Sequence, residues 1–251
     1  MTLSSIALVG AVHLVYFGVL LPYRTWRNRH VWPAVNAPPQ SRTQRYQARL
    51  AHFAMCGAIS LSTLWFLQLA SSRAPAATGS FVLGRLVDSP SAVWSALLPP
   101  EWPGWTDLLW GAIACALMVA IDLAYSRRCF DRGAPHMYLA TPQTPVERRG
   151  WVGQSVAAGV TEELTWRGVQ PEMIAQLTGS LWPAVILCAA TFGIGHIRQG
   201  KPFVAIAALF ALIFHALAWL TGGLYVPMVV HVAINVIVGL RAGTWANQRG
   251  F

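Results

Sequence analysis

Thr161-Glu162-Glu163-Leu164-Thr165-Trp166-Arg167 puts two carboxylates and a guanidinium within seven consecutive residues. The surroundings are otherwise apolar, and burying charge there is costly unless the charge is paired or used. Glu163 and Arg167 stand four apart. On a helix they therefore share a face, with the acid N-terminal to the base, the better order for an ion pair. Glu162 points about 100° away, and no basic residue lies three or four positions from it. It reads as the unpaired carboxylate.

The chain around this stretch has 251 residues, 55% hydrophobic and only 11% charged, with a mean hydropathy of +0.47. Such a composition indicates an all-α polytopic membrane protein rather than one or two soluble domains. A net charge of +9 would suit nucleic acid, but the arginines sit in loops between apolar runs, which argues for topology and against a nucleic-acid partner. Four scattered cysteines show no C-x-x-C spacing. Cys56, Cys115 and Cys188 read as small apolar packers, with no zinc ribbon or disulfide framework.

Taken in order, the apolar runs fall at residues 3–22, 50–71, 105–126, 157–178, 181–197, 203–220 and 224–240, which predicts seven membrane spans. Positive charge follows the first run instead of preceding it, so that run reads as a retained helix with its N-terminus outside. Arginines then crowd every inner loop. Arg24, Arg27, Arg29, Arg42, Arg45 and Arg49 lie in the first, and Arg127, Arg128, Arg132, Arg148 and Arg149 in the second. Arg198 and Lys201 follow, then Arg241 and Arg249, leaving Arg73 and Arg85 outside. This bias predicts a cytoplasmic C-terminus. Residues 72–104 carry Pro75, Pro90, Pro99, Pro100 and Pro103, with Trp94, Trp102 and Trp105, and read as a loop along the outer interface.

The later spans each carry polar residues where apolar ones would be cheaper. The fifth ends Phe192-Gly193-Ile194-Gly195-His196, and the seventh holds His231-Val232-Ala233-Ile234-Asn235, whose polar ends point the same way. Entry of the fourth span near Ala157 or Ala158 places Glu162 within about 8 Å of the inner face, level with these groups, and leaves residues 151–156 as an interfacial lead-in anchored by Trp151. Pro171 is expected to kink or end this helix past the charged turn. The set suits hydrolysis. A carboxylate in an apolar cavity is a competent general base toward water, a histidine can share that water, and Asn235 with the second histidine can hold an oxyanion. The same Glu162, His196 and His231 could instead ligate a divalent metal such as zinc, and spacing does not separate the two versions.

Glu162-Glu163-x-x-x-Arg167, Phe192-x-x-x-His196 and His231-x-x-x-Asn235, on successive helices, resemble the three motifs of the CPBP family, the Abi or type II CAAX prenyl endopeptidase group of intramembrane proteases. Thr221-Gly222-Gly223-Leu224-Tyr225-Val226-Pro227 resembles that family's small-residue turn. The match covers roughly residues 150–240. The resemblance implies a helical membrane endopeptidase, long described as a metalloprotease, in which Glu162 activates water with His196. It further implies that His231 and Asn235 form the oxyanion side and that Glu163 with Arg167 braces the site. Its implied partners are the lipid bilayer and a membrane-anchored protein or a peptide bearing a C-terminal signal. The expected location is a bacterial inner membrane, with the site toward the cytoplasmic half.

The expected organisation is an accessory membrane region over residues 1–145, a protease core over 150–240 and a cytoplasmic tail over 241–251. Two other classes remain open from the residues alone. One is a non-catalytic scaffold or bacteriocin-immunity-type binding protein using the same cavity. The other is a proton-coupled transporter, since carboxylates and histidines in helices also make relays. His13, His52 and His215 read as structural.

Overall fold

The computed structural model describes residues 3–30, 39–71, 103–134 and 140–248. These are helical, with no strand among them, and run α1 (Leu3–Val15), α2 (Leu21–Arg27), α3 (Pro39–Ser71), α4 (Trp105–Asp131), α5 (Pro145–Glu163), α6 (Gln170–Thr178), α7 (Leu181–Gly195), α8 (Lys201–Leu220) and α9 (Tyr225–Gln248). Among the described residues, four stretches are long and apolar enough to cross a membrane: Leu8–Arg27, Trp105–Asp131, Lys201–Leu220 and Tyr225–Gln248. Leu181–Gly195 is apolar but shorter. The runs at 50–71 and 157–178 lie within α3 and within α5–α6, where polar and charged residues dilute the apolar pattern. Large apolar side chains face outward, among them Leu8, Leu109, Ile186, Leu209 and Val229, while several charged ones are buried. That inverted distribution suits a lipid solvent.

Two of the helices contain a π-helical turn, and a proline follows each. Tyr16–Leu20 separates α1 from α2, whose second residue is Pro22; Leu164–Val169 separates α5 from α6, whose second residue is Pro171. A proline inside a helix lacks an N–H and its ring crowds the carbonyl four residues back. Widening the preceding turn accommodates both effects, so the helix continues where an end or kink was expected. Single π turns of this kind often occur at functional sites, and Leu164–Val169 contains Arg167.

The loops are shorter than the arginine pattern predicts. α3 begins at Pro39, so Arg42, Arg45 and Arg49 are helical, and α5 begins at Pro145, so Arg148 and Arg149 are too. The cause is a buried clamp between the two helices. Thr144 caps α5, its hydroxyl accepting from the Glu147 N–H, and the Glu147 carboxylate accepts from the Thr144 and Gln143 backbones. Pro145 occupies the first helical position, completing a strong start signal. Arg42 Nε then donates to the other Glu147 oxygen at 2.7 Å. Beside it, Tyr46 donates to the Ala140 carbonyl and lies against Gly150. Burial pushes the Tyr46 phenol up to about 12.

α5 also packs closely on α9. A Cβ at Gly159 would stand 2.6 Å from Val232 Cγ2 and 3.0 Å from its backbone nitrogen, so only glycine allows this approach. Trp151, expected as an interfacial anchor, packs inward, its ring against Gly239 and its Nε1 donating to the Asn235 carbonyl at 2.8 Å. Residues 241–248, expected as a tail, continue α9, and Trp245 and Ala246 are buried with Cys129 and Phe130. Most of the outer loop at 72–104, with Arg73, Arg85, Trp94 and Trp102, lies outside the described residues.

Candidate active site

A cavity of about 650 Å³ lies between the helices. Glu162, His196, His231 and Asn235 all line it, arriving from α5, from the end of α7 and from α9. Glu163 and Arg167 do not line it; their side chains are sealed behind it, each 0% exposed. The neighbouring glutamates thus separate as the 100° helical step requires, one to the cavity and one to the packed interior.

His231 joins the two layers. Its Nδ1 lies 2.6 Å from Glu163 Oε1, and its Nε2 lies 3.7 Å from Glu162 Oε2. Phe214 stacks on the ring with centroids 5.0 Å apart, which fixes the imidazole plane. Behind Glu163, Arg167 Nη1 stands 3.1 Å from the same carboxylate oxygen. The guanidinium is flanked by Phe192 and Phe214, whose ring centroids are 4.5 and 4.9 Å away. Cation–π attraction therefore supplements the ion pair in a dry setting. The Phe of the second motif thus holds the Arg of the first.

His196 is positioned differently. Its Nδ1–H donates to the Phe192 carbonyl one turn back, at 2.8 Å, which leaves Nε2 as the ring's acceptor. Gly193 allows the approach of α7 to α8, since a Cβ there would meet the Val204 carbonyl at 2.7 Å. Gly195 has nothing within 4 Å of its would-be Cβ and lines the cavity. Asn235 stands one turn beyond His231, its backbone carbonyl held by Trp151.

No three His, Cys, Asp or Glu side chains among the described residues gather closely enough to hold a metal ion. Of the three residues considered as metal ligands, His231 turns Nε2 toward Glu162 at 3.7 Å, and the His196 Nδ1 bond to the Phe192 carbonyl leaves its Nε2 open.

The structure adds residues that the sequence reading placed elsewhere. His52, read as structural, lines the cavity from α3, within hydrogen-bond reach of Cys56. Arg24 and Arg49, read as loop charges, line it as well. Arg49-x-x-His52-x-x-x-Cys56 is a helical spacing, and that shared face was the available signal. His13, by contrast, is buried against Thr63, and His215 lies off the cavity.

Residues 148–237 match the family model described as Type II CAAX prenyl endopeptidase Rce1-like. No curated protein and no solved structure matches the chain. All six motif residues, from Glu162 to Asn235, fall inside the matched segment, and over those residues the chain is similar to the Rce1-like type II CAAX prenyl endopeptidases.

Proposed function

We propose that this chain is an intramembrane endopeptidase that hydrolyses a peptide bond of a membrane-associated substrate through water activated by Glu162 and His196. The observation that carries this reading is the division of the two glutamates: Glu162 faces the cavity with His196, His231 and Asn235, while Glu163 and Arg167 stand behind His231. Water between the Glu162 carboxylate and His196 Nε2 loses its proton to the carboxylate as it attacks the scissile carbonyl. His231 is held with its Nδ1 2.6 Å from Glu163 Oε1, and Arg167 stands behind that carboxylate. The Nε2 edge of His231 and the Asn235 amide then receive the developing oxyanion. The proton held by Glu162 passes to the leaving amine, which completes hydrolysis.

The same reading takes the seven apolar runs as spans, with the N-terminus outside, in a bacterial inner membrane. Residues 1–145 serve as an accessory region and 150–240 as the protease core. Arg24, Arg49 and Arg198, counted as inner-loop charges, line the same cavity as Glu162, which supports an opening toward the cytoplasm.

Purified protein in lipid, assayed on a membrane-anchored peptide substrate, tests the chemistry. Glu162→Gln and His196→Ala are each expected to slow cleavage by about 10²–10⁴-fold, the usual worth of acid–base groups. Assays with and without a strong chelator show whether metal takes part. Wild-type rates from either variant, inserted normally, would falsify this mechanism.

A further inference from the structure

His196 stands at an irregular point of the backbone. α7 ends at Gly195, and His196 follows with φ −98° and ψ 9°, outside the regular helix. The chain then makes the short 3₁₀ turn Ile197–Gln199 and becomes helical again at Lys201. Local bonds close the turn: the Gln199 N–H donates to the His196 carbonyl and the Gly200 N–H to the Ile197 carbonyl, both at 3.0 Å. Carbonyls at a helix end lack an intrahelical partner and need one from elsewhere.

Tyr125 of α4 supplies one. Its hydroxyl donates to the Gln199 carbonyl at 2.7 Å. Gly200 makes room for this contact, since a Cβ there would stand 2.8 Å from the Tyr125 hydroxyl, and its φ of 114° favours glycine in any case. The Tyr125 ring lies 5.1 Å from that of Phe203, which in turn lies 6.1 Å from the His196 ring. Tyr125 therefore reaches the histidine by two routes, the backbone of its turn and the ring of Phe203.

The docking of α4 has other sources. Gly111 admits Val226 of α9, which a Cβ would meet at 2.9 Å, and Ala114 and Met118 are buried with Phe210, Phe214 and Val230. At the far end Cys129 and Phe130 are buried with Trp245. The hydroxyl of Tyr125 is thus spent on the turn after His196. Tyr125 lies outside the segment 148–237 matched to the family, while His196, Gln199 and Phe203 lie inside it.

We propose that Tyr125 is a positioning residue for His196: its hydroxyl fixes the turn that carries the imidazole, so that Nε2 stays on the water shared with Glu162. This rests on the protease reading for what His196 does. It gives α4, which precedes the matched segment, a part in the reaction. A small displacement of an acid–base group lowers the rate without weakening substrate binding.

The first test reads no catalysis. Full-length protein in lipid is treated with diethyl pyrocarbonate, which acylates an accessible imidazole nitrogen, and each histidine is followed by mass spectrometry. Tyr125→Phe keeps the ring and removes the hydroxyl; it is expected to raise the His196 rate about threefold and leave His52 and His231 unchanged. Tyr125→Leu, which also strips the ring from Phe203, is expected to raise it further. Unchanged His196 labelling in both variants overturns the proposal, and so does an equal rise at all three histidines, which would mark general loosening. The second test is cleavage of a lipid-anchored fluorogenic peptide. Tyr125→Phe is expected to lower kcat about tenfold with KM held within about twofold. Added to His196→Ala, it is expected to slow cleavage no further, because a residue acting through another has nothing left to act on. Additive losses, or a loss confined to KM, overturn the proposal. Wild-type protein that cleaves no peptide removes the protease reading, and the labelling result still decides whether Tyr125 positions His196.

Discussion

Two buried Arg–Glu pairs stand among the described residues, and they are satisfied to different degrees. In the clamp between α3 and α5, Glu147 accepts from Arg42 and from two backbone N–H groups, so both of its oxygens are used. In the site, Glu163 Oε2 and the Nε, Nη1 and Nη2 atoms of Arg167 are buried with no hydrogen-bond partner, although the ion-pair contact is 3.1 Å. Buried polar groups are nearly always satisfied, and exceptions mark places where something other than stability has shaped the arrangement. The clamp holds helices together. The second pair is fitted to His231 at 2.6 Å and to two aromatic faces, at the cost of its own hydrogen bonding.

The largest test of that contrast is Arg167→Met. It leaves the Glu163 charge buried without its cation, and a destabilisation of about 3–5 kcal/mol is expected in reversible unfolding in detergent. Arg42→Met is expected to cost less, about 1–3 kcal/mol, because the Thr144 and Gln143 backbones still hold Glu147. Equal losses for the two variants would break the comparison.

A pH titration of stability sharpens it. Burial alone raises the Glu147 carboxyl, but the hydrogen bonds from Arg42, Thr144 and Gln143 outweigh it and hold the group below the ordinary range. Between the folded value and about 4.3 the unfolded chain binds the extra proton. The clamp's contribution is therefore complete above that window and is lost as pH falls through the folded value. Glu147→Gln is expected to flatten this acid limb in thermal melts; an unaltered limb would show that other carboxylates set it.

The smallest expected effect concerns the side chain between the two clusters. Trp151 meets Tyr46 edge-on at 6.0 Å and donates to the Asn235 carbonyl. Trp151→Phe removes that hydrogen bond, worth about 1 kcal/mol, and is expected to slow cleavage severalfold while leaving the Arg42–Glu147 contact in place. A stability loss without any change in rate would show that the clamp and the site are not linked through this ring.

Much of the site was legible because it depends on local spacing. The i,i+4 relation of Glu163 and Arg167, the opposed direction of Glu162, and the shared face of His231 and Asn235 follow from helical geometry alone. Pro171 was visible too, but its outcome was not. Whether a helix ends, kinks or widens past a proline depends on what packs against it, and here Ser60 of α3 meets Thr165 inside the π turn at 2.7 Å. The clamp was half legible, since Thr144-Pro145-Val146-Glu147 is a helix-start signal, whereas its partner Arg42 lies 105 residues away.

By itself, then, the sequence determined an all-helical, lipid-suited chain with a Glu-Glu-Arg turn, a histidine at a helix end and a His–Asn pair, because helical periodicity and hydropathy act over a few residues. Only the tertiary structure decided that His231 sits between both glutamates and that Arg24, Arg49 and His52 line the same cavity as Glu162. Those relations depend on how closely helices approach, which is set at contacts such as Gly159 on Val232 and Gly193 on Val204, between residues far apart in the chain.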